Sequence, residues 1–307
     1  MSNIIAGQDT TAEDFENYRP LLFSIAYRML GSANEAEDIV QETYLRYRTS
    51  SESDIRSLKT YLSTIVTHLC LDYLKSARVQ REQYIGTWLP EPVLTNGPAI
   101  APLETIEQQE TISMAFLVLL QSLTPPERAV FLLHEVFDYD YQEIANIINK
   151  SAANCRQLLH RAKADLAERR HRFEPSREAY LQLIGRFSKA CQEGDVQGLA
   201  EILAQDVIDW SDGGGKVLAA LRPIYGIQAV TRLWLGLTRK APADLVITVE
   251  DVNGSPGVVL WTAGALYAVI TFEIVDEQIR GIYTVVNPDK LAYVARQLGA
   301  STDIDHS

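Results

Sequence analysis

The sequence predicts a multi-domain chain: an all-α first half that closes with a helix-turn-helix, followed by an α+β domain. Three observations predict it. A length of 307 residues exceeds what one compact core usually holds. Apolar residues recur at helical spacing through 13–84 and again through 112–172, with a segment bearing Pro90, Pro92, Pro98 and Pro102 between them. Beyond two further helices, at about 176–192 and 195–204, strand-like runs rich in Val, Ile, Thr and Tyr fall near 244–251, 257–263, 265–275 and 279–287. The expected divisions are therefore 1–84, an extended linker over 85–111, 112–172 and 173–307.

Each element has a local reason. The segment from Arg19 to Leu30 is apolar at helical spacing and stops at Gly31, where Ser32 begins a new cap. On the second helix, about Asn34 to Arg48, the residues Ala36, Val40, Thr43, Tyr44 and Tyr47 share a core face. Asp38, Gln41 and Glu42 lie on the opposite face, with Glu35 and Leu45 at its ends. The third helix runs from Leu58 to about Arg81, with Leu62, Ile65, Val66, Leu69 and Tyr73 as its stripe. The linker carries no Lys or Arg from Glu82 through Glu127, and its prolines favour extended backbone.

Residues 140–168 carry the most readable motif. A short amphipathic helix from Tyr141 to Ile148 meets Asn149, which tolerates the left-handed conformation of a tight turn. Ser151 is then a good N-cap. In the helix that follows, Cys155, Leu158, Leu159, Ala162 and Leu166 form one buried face. The other face presents Arg156, Gln157, His160, Arg161 and, at its edge, Lys163, groups able to bind phosphates and base edges in a major groove.

Composition narrows the class. Hydrophobic content of 47% argues against a mainly disordered chain. The longest apolar runs, Gly264 to Phe272 and Met114 to Leu120, fall short of a membrane span, and residues 1–14 lack the basic and apolar stretches of a secretory signal. Cys70, Cys155 and Cys191 are widely spaced within helix-like stripes, so they read as small core residues rather than disulfide or metal ligands. A reduced, cytoplasmic compartment is expected. The net charge of −12 opposes DNA binding by the chain as a whole. Within 149–172, however, seven Lys and Arg face two acids, so the positive charge is local. That distribution suggests a larger partner supplying most of the DNA contact.

The run Gly31-Ser-Ala-Asn-Glu-Ala-Glu-Asp-Ile-Val-Gln-Glu-Thr-Tyr-Leu45 closely resembles region 2 of extracytoplasmic-function (ECF) sigma factors. Thr124-Pro-Pro-Glu-Arg-Ala-Val-Phe-Leu-Leu133 with the helix-turn-helix resembles region 4. The resemblance covers nearly all of 13–170 and implies a subunit that binds core RNA polymerase and directs promoter-specific initiation. It implies partners in the β′ coiled coil, the β flap and the −35 and −10 promoter elements. It assigns polymerase binding to Asp38, Gln41, Glu42 and Leu45, a patch suited to a basic partner. It assigns promoter contact to Arg56, Lys59, Tyr61, His68, Lys75, Arg78 and Arg81 on and before the third helix. In region 4 it assigns Ser151, Asn154, Arg156, Gln157, His160, Arg161 and Lys163. Two departures affect the −10 preference: Thr67-His68 stand where the family usually has Arg-Asn, and Tyr61 where Trp is common.

The C-terminal third resembles the SnoaL-like, NTF2-like fold, a cone of helices against a curved sheet. Three short runs resemble markers of the ECF subgroup that carries this extension. They are Trp88, Leu89, Pro90, Glu91 and Pro92 in the linker; Asp212, Gly213, Gly214, Gly215 and Lys216; and Asn287, Pro288, Asp289, Lys290 and Leu291, placed just beyond the last strand. Trp88 is a large apolar anchor on stiff backbone, and the three glycines let the chain approach a partner closely. The last two runs are expected to form a surface contacting the linker, so that the extension modulates activity. Other readings stay open: catalysis with Asp209 or Asp212 as general base, a small regulatory ligand in the cone, or a docking domain with a filled interior. A stand-alone helix-turn-helix repressor is disfavoured by the Asp38-Gln41-Glu42 face. No enzyme activity, cofactor, metal or membrane is expected.

Overall fold

The computed structural model describes residues 2–50, 57–96, 111–167 and 176–300, with 2–13 and 77–82 described as backbone alone. Two compact units emerge. One is Met1–Glu82, Asn96–Thr111 and Leu119–Arg169; the other is Gln83–Thr95, Ile112–Val118 and Arg170–Ser307.

The first unit is helical. Helices α1 (Ser2–Leu30), α2 (Ala33–Arg48) and α3 (Leu58–Glu82) pack through Phe15, Leu22, Phe23, Ala26, Val40, Tyr47, Leu62, Val66 and Cys70. Gly31 ends α1 at φ 70°, and the Ser32 hydroxyl caps α2 by accepting from Glu35 N–H at 3.2 Å. The buried stripe of α3 is Leu62, Val66, Cys70 and Leu74, at four-residue steps, and the expected Ile65, Leu69 and Tyr73 are only half-buried. The reason is that further helices of the unit contact α3, and Ser63 and Thr67 face inward as well.

Helix α4 (Met114–Leu120) precedes α5 (Pro125–Glu135), α6 (Tyr141–Ile147) and α7 (Ala152–Ala167). Thr124 and Glu127 form a capping box with Pro125 in the first turn of α5; Asp140 and Glu143 form another at α6. Asn149 adopts φ 53° between α6 and α7, and Ser151 accepts from Asn154 N–H at 3.2 Å. Inside this unit the α5–α6 segment meets α1 and α3. Arg128 Nη1 donates to the Met29 carbonyl at 2.6 Å, and the Tyr139 and Ser63 hydroxyls share a 2.7 Å hydrogen bond. Buried Arg28 donates to Thr111 Oγ1 at 3.2 Å and lies 5.7 Å from the Phe137 ring centre; burial pulls its guanidinium down to about 10.

The second unit is α+β. Helices α8 (Arg177–Glu193) and α9 (Val196–Ile202) lead into a sheet of β1 (Leu203–Asp212), β2 (Ile224–Tyr225), β3 (Val246–Val252), β4 (Ser255–Thr262), β5 (Ala265–Val275) and β6 (Gln278–Val285). The order is β2-β1-β6-β5-β4-β3, antiparallel except for β1 against β6. Helix α10 (Ile227–Arg239) joins α8 and α9 over a core of Leu183, Ile184, Phe187, Ile202, Val207, Ile270 and Ile282. A second cluster gathers Val252, Val259, Val269, Tyr283 and Val285 with Leu89, Met114, Leu291 and Val294, bringing in α11 (Pro288–Leu298).

Three expectations are corrected here. The helix expected to reach 204 ends at Ile202, where Leu203 turns into β1. The region of α10 went unassigned. Pro288 does not merely close the last strand: it opens α11 at a position where its missing N–H costs nothing, behind the N-cap Asn287.

Candidate functional site

On α2, burial of Ala36, Ile39, Val40, Thr43 and Tyr47 turns the opposite face outward. Asp38, Gln41 and Leu45 are exposed, Leu45 by 50%, and Glu42 is half-buried and paired with Arg46 at 2.8 Å. An exposed leucine ringed by carboxylates is an apolar anchor with an acidic rim, chemistry suited to a basic docking surface.

On α3 the expected promoter residues divide. Lys59 is exposed and stands 4.9 Å from the centre of the Tyr139 ring; His68 and Lys75 are exposed, and Lys75 pairs with Asp72 at 2.8 Å. Tyr61 is half-buried. Thr67 is fully buried with its hydroxyl unpartnered, so of the Thr67-His68 pair only His68 faces solvent. Arg56 lies outside the described residues, as do the side chains of Arg78 and Arg81.

Helix α7 buries Cys155, Leu159, Ala162 and Leu166 and exposes Ser151, Asn154, Arg156, Gln157, His160, Arg161 and Lys163 along one side. Two of these already have partners. Lys163 Nζ pairs with Glu135 on α5 at 2.8 Å, and Arg156 stacks 5.1 Å from the Tyr141 ring centre.

In the second unit the three short runs meet at one buried carboxylate. Asp212 ends β1 fully buried. Its Oδ2 accepts from Leu89 N–H at 2.8 Å and from Lys290 Nζ at 2.6 Å; its Oδ1 accepts from the Tyr84 hydroxyl at 2.5 Å and from Gly214 N–H at 3.1 Å. Lys290 also donates to the Leu89 carbonyl, and its ammonium lies 3.9 Å from the Trp88 ring centre and 4.8 Å from that of Tyr84. Asn287 caps α11 through its carbonyl and donates from Nδ2 to the Tyr84 hydroxyl at 2.9 Å. Burial and donation to Asp212 push the Tyr84 phenol well above its ordinary range. A methyl group on Gly214 would lie 2.2 Å from Asn287 Nδ2, and one on Gly215 2.9 Å from Ile85, so the φ 60° and φ 73° glycines let this backbone close on the strap. Lys216 reaches Asp289 at 2.6 Å on the surface.

The strap continues beside this centre. Leu89, Pro90, Glu91, Pro92 and Val93 are buried. Asn253 N–H donates to the Val93 carbonyl at 2.9 Å, and Gln297 receives Leu94 N–H at 2.8 Å. Leu94 bridges Val252, adding a short edge pairing to the sheet. Sequence reasoning missed Tyr84, Asn253 and Gln297. Tyr84, four residues before Trp88, was the accessible signal: an aromatic hydroxyl beside an aromatic anchor.

Asp209 sits apart from this centre. It is 1% exposed and accepts from Trp234 Nε1 at 2.8 Å and Ser211 Oγ at 3.2 Å; burial pushes its carboxyl up to about 6. Asp212, with four donors on two oxygens, is engaged throughout and has no lone pair directed at a substrate.

Known proteins share this organisation. Family models for Sigma-70 region 2 and Sigma-70 region 4 match residues 15–79 and 113–166. The chain is 36% identical to the ECF RNA polymerase sigma factor SigJ of Mycobacterium tuberculosis, over 90% of this chain and 92% of that one. The chain belongs to the ECF family of RNA polymerase sigma factors. The probable ECF sigma factor SigI of the same organism is 31% identical over 95% of this chain and 98% of its own. The crystal structure of SigJ superposes with a TM-score of 0.74 at 32% identity, covering 92% of this chain and 98% of that one. Likeness over that span takes in the α+β extension as well as both sigma regions. This ECF sigma factor therefore acts with core RNA polymerase in promoter-specific initiation. Among the described residues no helix is long and apolar enough to cross a membrane.

Proposed function

We propose that the C-terminal unit governs this sigma factor by holding the linker between regions 2 and 4, and so sets how far apart they reach. In this reading α2 docks on polymerase through Asp38, Gln41, Glu42 and Leu45, α3 engages the −10 element, and α7 reads the −35 element. The supporting observation is the buried Asp212 carboxylate, which takes linker groups and Lys290 together.

Geometry gives that contact its consequence. Elements near −10 and −35 lie on the order of 85 Å apart on one duplex, at about 3.4 Å per base pair. A hydrogen bond of 2.7 Å between Ser63 and Tyr139 belongs to a closed form, which has to open before both elements are read. The run 83–111 extends at most roughly 100 Å, but only roughly 55 Å remains once 83–95 is held on the C-terminal unit.

Run-off transcription with purified core polymerase tests this. Trp88→Ala and Lys290→Met should raise product over the intact chain, as should a chain ending at residue 172. Output from Trp88→Ala equal to that of the unaltered chain removes the idea. A second reading, a small ligand between helices and sheet, is favoured by one feature: Asp209, Ser211 and the buried Thr284 hydroxyl are polar groups on neighbouring positions of β1 and β6.

A further inference from the structure

The cations of α7 are not equivalent. Glu135, the last residue of α5, uses both carboxylate oxygens: Oε2 takes Lys163 Nζ at 2.8 Å and Oε1 takes His134 Nδ1 at 2.8 Å. The His134 ring in turn lies 4.6 Å from that of Tyr141, centre to centre, on the opening residue of α6. The far side of that chain is Arg156, whose guanidinium stands 5.1 Å from the Tyr141 ring centre. Lys163, Glu135, His134, Tyr141 and Arg156 thus form one continuous network across the three helices of the motif. His160 and Arg161 lie outside it on the exposed side of α7.

From this network we infer that Glu135 is a positioning residue that withholds Lys163 from DNA and leaves Arg156, His160 and Arg161 as the cations that meet it. The inference rests on the reading of α7 as the DNA-contacting helix. A carboxylate within hydrogen-bond distance of an ammonium competes directly with a DNA phosphate for the same donors. An ammonium is a point charge that serves any phosphate, so a lysine at the edge of the recognition helix adds affinity without discrimination. Keeping it paired favours sequence reading over general adhesion. Tyr141 does the complementary task, holding the Arg156 plane flat on its ring, where less rotamer freedom is lost when the guanidinium finds a base edge or phosphate.

The test uses the salt dependence of binding to a 20-base-pair duplex of arbitrary sequence, measured by fluorescence anisotropy with the full-length chain. Each phosphate neutralised contributes about 0.9 to the slope of log K against log salt. Glu135→Gln should steepen the slope by about one and tighten low-salt binding several-fold. Lys163→Ala alone should leave the slope unchanged, and Glu135→Gln combined with Lys163→Ala should return to the unaltered value. A merely structural Glu135 predicts the reverse sign, weaker binding and a shallower slope. The inference is overturned if Lys163→Ala by itself flattens the slope, or if Glu135→Gln fails to steepen it while Arg161→Ala flattens it. If Arg161→Ala leaves the slope unmoved, α7 is not the DNA surface, and the reading beneath the inference falls with it.

Discussion

Each unit of the molecule is fastened internally across a long sequence separation, and the two fastenings differ in kind. In the C-terminal unit, Asp212 and Lys290 close on the linker strap as a buried ion pair, 0% and 7% exposed, with every carboxylate lone pair met by a donor. In the helical unit, Tyr139 meets Ser63 through one neutral hydrogen bond, with an exposed lysine over the ring. Breaking a buried pair by removing one partner costs about 3–5 kcal/mol, because the other charge is left stranded; a neutral hydrogen bond contributes a net of about 1 kcal/mol. The first is a lasting part of its unit, and the second can open. A sigma factor whose two DNA-reading regions must separate needs that asymmetry.

The comparison is sharpest at Lys290. Lys290→Met should destabilise the C-terminal unit by about 3–5 kcal/mol in urea unfolding and expose 83–95 to limited proteolysis, while Asp212→Asn combined with Lys290→Met recovers much of the loss. An equal loss in single and double variants would show that the pair is not what holds the strap.

Asp209 provides the contrast of a buried carboxyl with no cation. Its folded value of about 6 lies above the unfolded 3.8, so its contribution is fully present below about pH 4 and is lost as the pH rises through 6. Asp209→Asn keeps an acceptor for Trp234 and removes the titration. Relative to the unaltered chain it should gain up to about 3 kcal/mol above pH 6.5 and nothing below pH 4, read as melting temperature against pH. A constant offset across that range would contradict the assignment.

Gly214→Ala tests the close approach of the Asp212 loop. A left-handed φ and the overlap with Asn287 should together cost about 2 kcal/mol, visible in the same unfolding curves. The smallest effect belongs to the openable fastening. Tyr139→Phe should cost about 1 kcal/mol, yet shift the distance between fluorophores on α3 and α7 toward longer values. Unchanged distances would mean that the hydrogen bond does not hold the closed form.

Much of this was legible in residue order. The capping residues Ser32 and Ser151, the left-handed Asn149 and the apolar spacing of α2 and α7 act within a few residues, so local periodicity reveals them. The strands of the C-terminal unit from β3 to β6 were legible for the same reason, as alternating or continuous β-branched runs. Helix α10 was not, because Leu233, Trp234 and Leu235 share neither a period-2 pattern nor a long buried stripe; they are half-buried on a helix only partly covered by the sheet. Lys163 shows the limit at a site. Its place on the cationic side of α7 was visible, but Glu135 lies 28 residues earlier, and nothing local pairs them.

The sequence by itself determined the helices, their caps and the acidic and basic faces of α2 and α7, because helix geometry converts spacing into sides without reference to the rest of the chain. The tertiary structure alone decided which charges are used up: Asp212 by Lys290 and the strap, Lys163 by Glu135, Asp209 by an indole and a hydroxyl. The physical reason is that a charge is defined by its partners and its burial, and both are set by residues distant in the chain that only the fold brings together.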